Sequence, residues 1–342
     1  MRVVVPAGGV GAARFLRGLL AALAALTTRK GAGNGEHEVT VIGNTADDIT
    51  LFGLRVCPDL DTVMYTLGGG IHEQQGWGRA DERFTIKGEL AAYGMEPQWF
   101  GLGDRDIATH IVRTQMLTAG YPLSAVTEAL CARWRPGVRL LPMTDDQAET
   151  HVVIDADPVT HPAAEGGRRA IHFQEWWVGL HAQVAARAIV VVGLEQARPA
   201  PGVLAAIEAA DVILLPPSNP VVSLGPVFGV PGIRAAIAAA GAPVVGVSPI
   251  IGGAPVRGMA DACLAAIGVE TSAQAVGTLF ADLLDGWLVA ETDAGIDVKG
   301  VEVRARPLLM TDVAAAAALA SAALDLAEEL RQRDAARAER RT

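Results

Sequence analysis

Short runs of β-branched residues alternate with longer Ala/Leu-rich stretches along much of the chain. Strands are predicted at Arg2 to Val5, Val39 to Ile42, Ile189 to Val192, Val212 to Leu215 and Val244 to Val247. Each is a nearly continuous apolar run, the kind buried on both faces of a parallel sheet. Helical spacing follows at Ala12 to Leu26, Pro201 to Ala209, Gly232 to Ala240 and Gly258 to Ile267, within reach of βαβ crossovers. The pattern predicts an α/β fold: a Rossmann-like, doubly wound, mostly parallel sheet.

The middle third breaks this rhythm. Ile107 to Ala119 and Pro122 to Trp134 read as a helical pair, followed by strands at Val138 to Leu141 and His151 to Ile154. The expected organisation is therefore a core of residues 1–106 and 186–330 with a helical insertion or cap at 107–185. Lys30 to Glu36, rich in glycine, reads as a surface loop, and 331–342 as a charged helical tail.

Two uncharged stretches, Val212 to Ile233 and Ala235 to Val256, raise the question of a membrane span, which needs ~20 apolar residues. Prolines 216, 217, 220, 226 and 231 interrupt the first, and Gly241, Pro243, Pro249, Gly252 and Gly253 the second, so buried strands joined to loops are expected instead. The start of the chain reads as a strand rather than a secretory leader. Cys57, Cys131 and Cys263 have no pairwise metal spacing, which suggests neither disulfides nor zinc and fits the reducing cytoplasm. A formal net charge of -10 disfavours nucleic-acid binding. It leaves room for a small anion held by backbone N–H groups and a cation.

The first strand runs into Pro6-Ala7-Gly8-Gly9-Val10-Gly11 and then a helix, so Gly8, Gly9 and Gly11 are candidates for a phosphate-approaching turn or for a turn that needs glycine for geometry alone. A Walker loop is excluded because Gly11-Ala12-Ala13-Arg14 lacks its Gly-Lys-Ser/Thr. A dinucleotide fingerprint is disfavoured because Arg14 stands where a third glycine belongs. Asn44-Thr45-Ala46-Asp47-Asp48 and Pro58-Asp59-Leu60-Asp61-Thr62 put four carboxylates near the carboxyl edge of the sheet. Magnesium is commonly held there by one or two acids plus substrate phosphates. Asp48 and Asp61 are the expected ligands, although Asp59 or Asp61 would serve equally as a helix cap. Asp104-Arg105-Asp106 before a helix suits a phosphate or a heterocycle edge, or an acid cap with a surface ion pair. Ser218 and Asn219, fixed between prolines, are further ligand-binding candidates. His172 to Trp177 supplies rings that either stack on a ligand or close a core.

Together with Leu141 to Asp146 and Val247 to Gly252, these motifs resemble the phospholactate/phosphoenolpyruvate transferase family of coenzyme F-420 biosynthesis, in its actinobacterial form, from Met1 to about Ala327. The resemblance implies a guanosine diphospho-enolpyruvate or -lactate donor and the deazaflavin Fo as acceptor. It also implies Fo contacts from Asp61 and Arg105, Mg2+ on the acidic loops, the nucleotide near the glycine turn, and a homodimer. The expected reaction is in-line attack of an Fo hydroxyl on the substituted phosphorus with release of GMP, an aspartate such as Asp48 taking the proton. Asp61→Asn is expected to harm turnover far more than folding. The rival readings are a non-catalytic nucleotide-sugar-binding regulator of related fold and an NAD-dependent dehydrogenase.

Overall fold

The computed structural model describes residues 1–30, 37–157 and 165–339; the expected loop at Lys30 to Glu36 lies almost wholly outside them. Seven parallel strands form the central sheet: β1 (Arg2–Ala7), β2 (Glu38–Gly43), β3 (Arg139–Pro142), β4 (Val212–Leu215), β5 (Val244–Val247), β6 (Gly286–Val289) and β7 (Glu302–Ala305). Their spatial order is β7-β6-β5-β4-β1-β2-β3. The chain thus starts in the middle, winds outward through β2 to β3, then returns to the other side of β1 with β4. The reversal between β1 and β4 opens a crevice at their carboxyl ends, where doubly wound sheets bind ligands.

Alternation along each strand builds two cores. Val3, Val5, Val39, Val41, Val212, Leu214, Val245 and Val247 face one layer. That layer comprises α1 (Gly9–Lys30), α2 (Pro58–Leu67), α4 (Leu123–Trp134) and α5 (Val313–Glu339). Val4, Ile42, Ile213, Leu215, Val244 and Val289 face the other, covered by short helices including Val203–Glu208, Ile233–Ala239, Ala260–Ala266 and Ala273–Leu279. Burial on both faces accounts for the unbroken apolar runs. By length and composition α1 (Gly9–Thr28) is the one described helix able to cross a membrane, or one of two if Pro220–Gly229 and Ile233–Ala239 are joined across their 84° bend. Here Phe15, Leu16, Leu19 and Leu23 of α1 are buried in the core.

Two details differ from the sequence expectation. The strand at Ile189 to Val192 is not in the parallel sheet. Ala188–Val192 pairs antiparallel with Glu149–Asp155, whose other edge takes Arg168–His172. Val190 and Val192 are 43% and 57% exposed, so this apolar run is only half covered. The strand read at Val138 to Leu141, assigned to the cap, is instead β3, hydrogen-bonded to β2 at the edge of the central sheet. The charged tail is helical and continues α5 as far as Glu339. Between α2 and β3 the chain also forms α3 (Asp104–Thr118) and the short helix Thr85–Ala92, which buries none of its residues.

Candidate active site

The turn after β1 is shaped by close approach. Gly9 has φ +74°, and a Cβ at Gly11 would lie 2.3 Å from the Pro217 carbonyl oxygen, so only glycine lets the β1 and β4 loops meet. Ser218 completes this contact by donating its hydroxyl to the Gly8 carbonyl at 2.9 Å. Asn219 accepts from the N–H groups of Val221 and Val222 and caps the next turn. Gly8, Gly9, Gly11, Ser218 and Asn219 all line a cavity of about 480 Å³ at the β1/β4 crevice. Arg14, one turn into α1, and Arg257 reach the same cavity, as do Phe173 and Trp177.

Two acids face this cavity, Asp47 and Asp59. Both lie in the first stretches after β2 and at the start of α2, where Cys57, not an aspartate, occupies the cap position. Asp59 accepts from the Gly9 N–H and from Asn44 Nδ2, each at 2.9 Å. Asn44 is wholly buried and also accepts from the Ala46 N–H at 3.0 Å, so it fixes Asp59 rather than touching a ligand. Burial pushes the Asp59 carboxyl up to about 6. Burial, then the neighbouring Asp59 charge, drives Asp47 well above the usual carboxylate range. Asp47 Oδ1 is buried without a hydrogen-bond partner, and among the described residues neither acid is ion-paired to an arginine or lysine. Two buried, mutually repelling carboxylates with an orphaned oxygen fit a hard cation such as Mg2+.

The expected pair, Asp48 and Asp61, is placed differently. They are close enough for the Asp61 charge to bear on Asp48, yet each is answered by its own arginine. Asp48 Oδ2 is 3.5 Å from Arg55 and faces neither cavity; burial pushes its carboxyl up to about 7. Asp61 is bonded to Arg113 and lines a second cavity of about 330 Å³ with Tyr65, Trp77, Phe84, Phe100 and Asp106. Trp77 lines both cavities. Asp61, Asp106 and His110 bring ligand-type atoms within 4.8 Å of one another, but Arg113 donates to both Asp61 and His110 Nδ1. The positive charge of that cluster is thereby already supplied by Arg113, and the histidine proton is left on Nε2, facing Asp106 at 3.4 Å. His110 so arranged offers a metal no free ring nitrogen, which leaves Asp61 and Asp106 as the cluster's ligand-type groups.

Asp104 opens α3 and accepts from the Ile86 N–H at 3.0 Å, tying down the short helix at 85–92. The Arg105 side chain is exposed and lines neither cavity. Its backbone N–H and that of Asp106 donate to Glu82 at 2.8 Å. Of the ring-rich segment, Trp176 is core, wholly buried with Nε1 donating to the Val184 carbonyl, while Trp177 faces the larger cavity. Sequence reasoning passed over Trp77 and Arg257. The former is an exposed aromatic flanked by glycines, a detectable signal, whereas nothing in the local sequence ties Arg257 to the crevice.

The role of Asn44 gives a direct test. Asn44→Ala strands the Ala46 N–H and removes a donor from Asp59, and is expected to cost about 2 kcal/mol, read as a lower urea midpoint with an unchanged denaturant slope.

A family profile described as 2-phospho-L-lactate transferase CofD matches residues 3–315. The chain is 69% identical over 334 residues to a phosphoenolpyruvate transferase of Thermobifida fusca, covering 97% of this chain and 100% of that one. It is 65% identical to that of Streptomyces griseus (97% and 100% covered) and 56% identical to that of Mycolicibacterium smegmatis (96% and 99% covered). Among solved structures, protein BH3568 of Bacillus halodurans superposes with a TM-score of 0.58 at 18% identity, covering 94% of this chain and 99% of that one, a likeness of fold alone. With its glycine turn, acid loops and crevice in the arrangement described, the chain belongs to the CofD family of 2-phospho-L-lactate transferases.

Proposed function

We propose that the protein transfers a phosphoenolpyruvyl group from a guanosine diphospho-donor to the terminal hydroxyl of the deazaflavin Fo, releasing GMP and forming dehydro coenzyme F-420-0. The observation that carries this reading is the pair of cavities sharing Trp77, one lined by the glycine turn, two acids and two arginines and the other by aromatic rings and Asp61. In the larger, the glycine turn and the α1 N-terminus favour anionic oxygens, and Arg14 and Arg257 add charge. Asp47 and Asp59 would hold Mg2+, which there offsets the negative charge that builds on the transferring phosphate. In the smaller, Tyr65, Phe84 and Phe100 supply flat apolar walls. Asp61 lines that cavity, and its buried Oδ2 has no hydrogen-bond partner, which leaves it a lone pair for an acceptor hydroxyl.

The acceptor oxygen attacks the phosphorus carrying the enolpyruvyl group. The bond from that phosphorus to the GMP oxygen breaks, and the hydroxyl proton passes to Asp61 rather than to Asp48, which lines neither of these cavities. The reading carries with it a cytoplasmic homodimer. Mass spectrometry of a reaction holding purified protein, Mg2+, Fo and each donor is expected to show dehydro coenzyme F-420-0 with one GMP per product. Binding of both substrates without GMP release would make the protein a non-catalytic binder. A lactyl product alone would replace the enolpyruvyl donor.

A further inference from the structure

Asp61 is held by a chain of buried groups, and the reaction as described gives Arg113, its first member, no task. Arg113, 1% exposed, spends its guanidinium on three partners: the Asp61 carboxylate, His110 Nδ1 at 3.0 Å and the Arg55 carbonyl at 3.2 Å. His110, also 1% exposed, continues the chain to Asp106 at 3.4 Å. Tyr65 donates its hydroxyl to the other Asp106 oxygen at 2.7 Å. The spacing explains the assembly. Asp106, His110 and Arg113 are one face of α3, and Asp61 and Tyr65 are one face of α2. The N-terminal end of α3 is fixed as well, because Glu82 takes the N–H groups of Arg105 and Asp106.

Such a chain is an expensive way to fill a core, since well-packed apolar residues of similar volume generally serve stability as well or better. Its distinguishing product is geometric. Arg113 engages Asp61 Oδ1 and leaves Oδ2 without a hydrogen-bond partner, in a residue that lines the smaller cavity. A planar guanidinium anchored at three points permits little rotation of the carboxylate it holds.

We propose that Arg113 is a positioning residue for the acceptor: it lines neither cavity, and it acts by holding the Asp61 carboxylate in place for the acceptor hydroxyl, with His110, which reaches the wall of the smaller cavity, steadying its guanidinium. This rests on the acceptor reading above. The test uses the full chain with Fo as the acceptor probe and GDP as the donor-side probe, each measured by equilibrium dialysis. Arg113→Met is expected to raise the Fo dissociation constant at least tenfold and to leave that of GDP within twofold. His110→Asn, which keeps a hydrogen-bonding group near Nδ1, is expected to lose less than His110→Ala. Asp61→Asn and Asp61→Asn/Arg113→Met are expected to bind Fo within twofold of one another, because a residue acting only through Asp61 has nothing left to act on. In turnover, Arg113→Met raises KM for Fo with KM for the donor unchanged.

A second multiplicative loss in the double variant, equal loosening of GDP, or unchanged Fo binding in Arg113→Met would each overturn the assignment. If Arg113→Met fails to fold, Arg113→Lys carries the test. It keeps the charge without the three-point fork, and unchanged Fo affinity there overturns the proposal too. Failure of the unaltered protein to bind Fo is a distinct result that removes the acceptor reading and this inference with it.

Discussion

Asp59→Asn is expected to lower turnover by about 10³-fold, the scale of losing one preorganised electrostatic group at a transferring phosphate, while leaving the metal-free protein at least as stable as before. The two halves of this result have one cause. A carboxyl that burial lifts from 3.8 to about 6 destabilises the metal-free fold at neutral pH by up to about 3 kcal/mol. Part of the relief is lost, because an asparagine amide would face the Asn44 Nδ2 that now donates to Asp59. The sign with pH follows from linkage. With the folded-state value above the unfolded one, the folded protein binds the extra proton, so the penalty is absent below 3.8 and grows as pH rises through about 6. In chelator, the stability advantage of the variant should therefore be present at neutral pH and vanish near about pH 4. Adding Mg2+ should raise the melting temperature of the unaltered protein and not of the variant. Equal Mg2+ stabilisation of both, or retained turnover in Asp59→Asn, would take the cation away from this acid.

Much of the fold is legible along the chain because parallel strands buried on both faces leave unbroken apolar runs, and Val3, Val4 and Val5 indeed pack into alternate layers. The same signal misleads at Ile189 to Val192, where a half-covered antiparallel strand has an equally apolar sequence. β6 and β7 escape for the opposite reason: four residues each, the latter carrying Glu302 and Arg304, they offer little pattern to read. At the site, the acid loops are conspicuous, but adjacent residues in a turn point in different directions. Local sequence does not say that Asp47 faces the crevice while Asp48 turns to Arg55. Nor does it reveal Arg113, 52 residues beyond Asp61, whose burial beside that acid depends on how α3 packs on the Leu54–Val56 strand and on α4. That pairing alters what removing Asp61 should do.

From sequence alone, Asp61→Asn should spare the fold. With Arg113 1% exposed and bonded to Asp61, the substitution instead leaves a guanidinium buried without its counter-charge. Burial works against that charge, and the Asp61 carboxylate is the leading influence holding it in place. Arginine does not shed its proton to escape, so the loss should be about 3–5 kcal/mol, as for other buried pairs deprived of one partner. Urea unfolding should show a clear fall in midpoint for Asp61→Asn. It should show substantial recovery in Asp61→Asn/Arg113→Met, where the stranded charge is gone and an apolar chain of similar length fills the space. Turnover should recover in neither. A midpoint for Asp61→Asn equal to that of the unaltered protein would mean that water reaches Arg113. Recovery of stability without recovery of activity would separate the two tasks of this carboxylate: balancing a buried arginine, and offering its free oxygen to the acceptor.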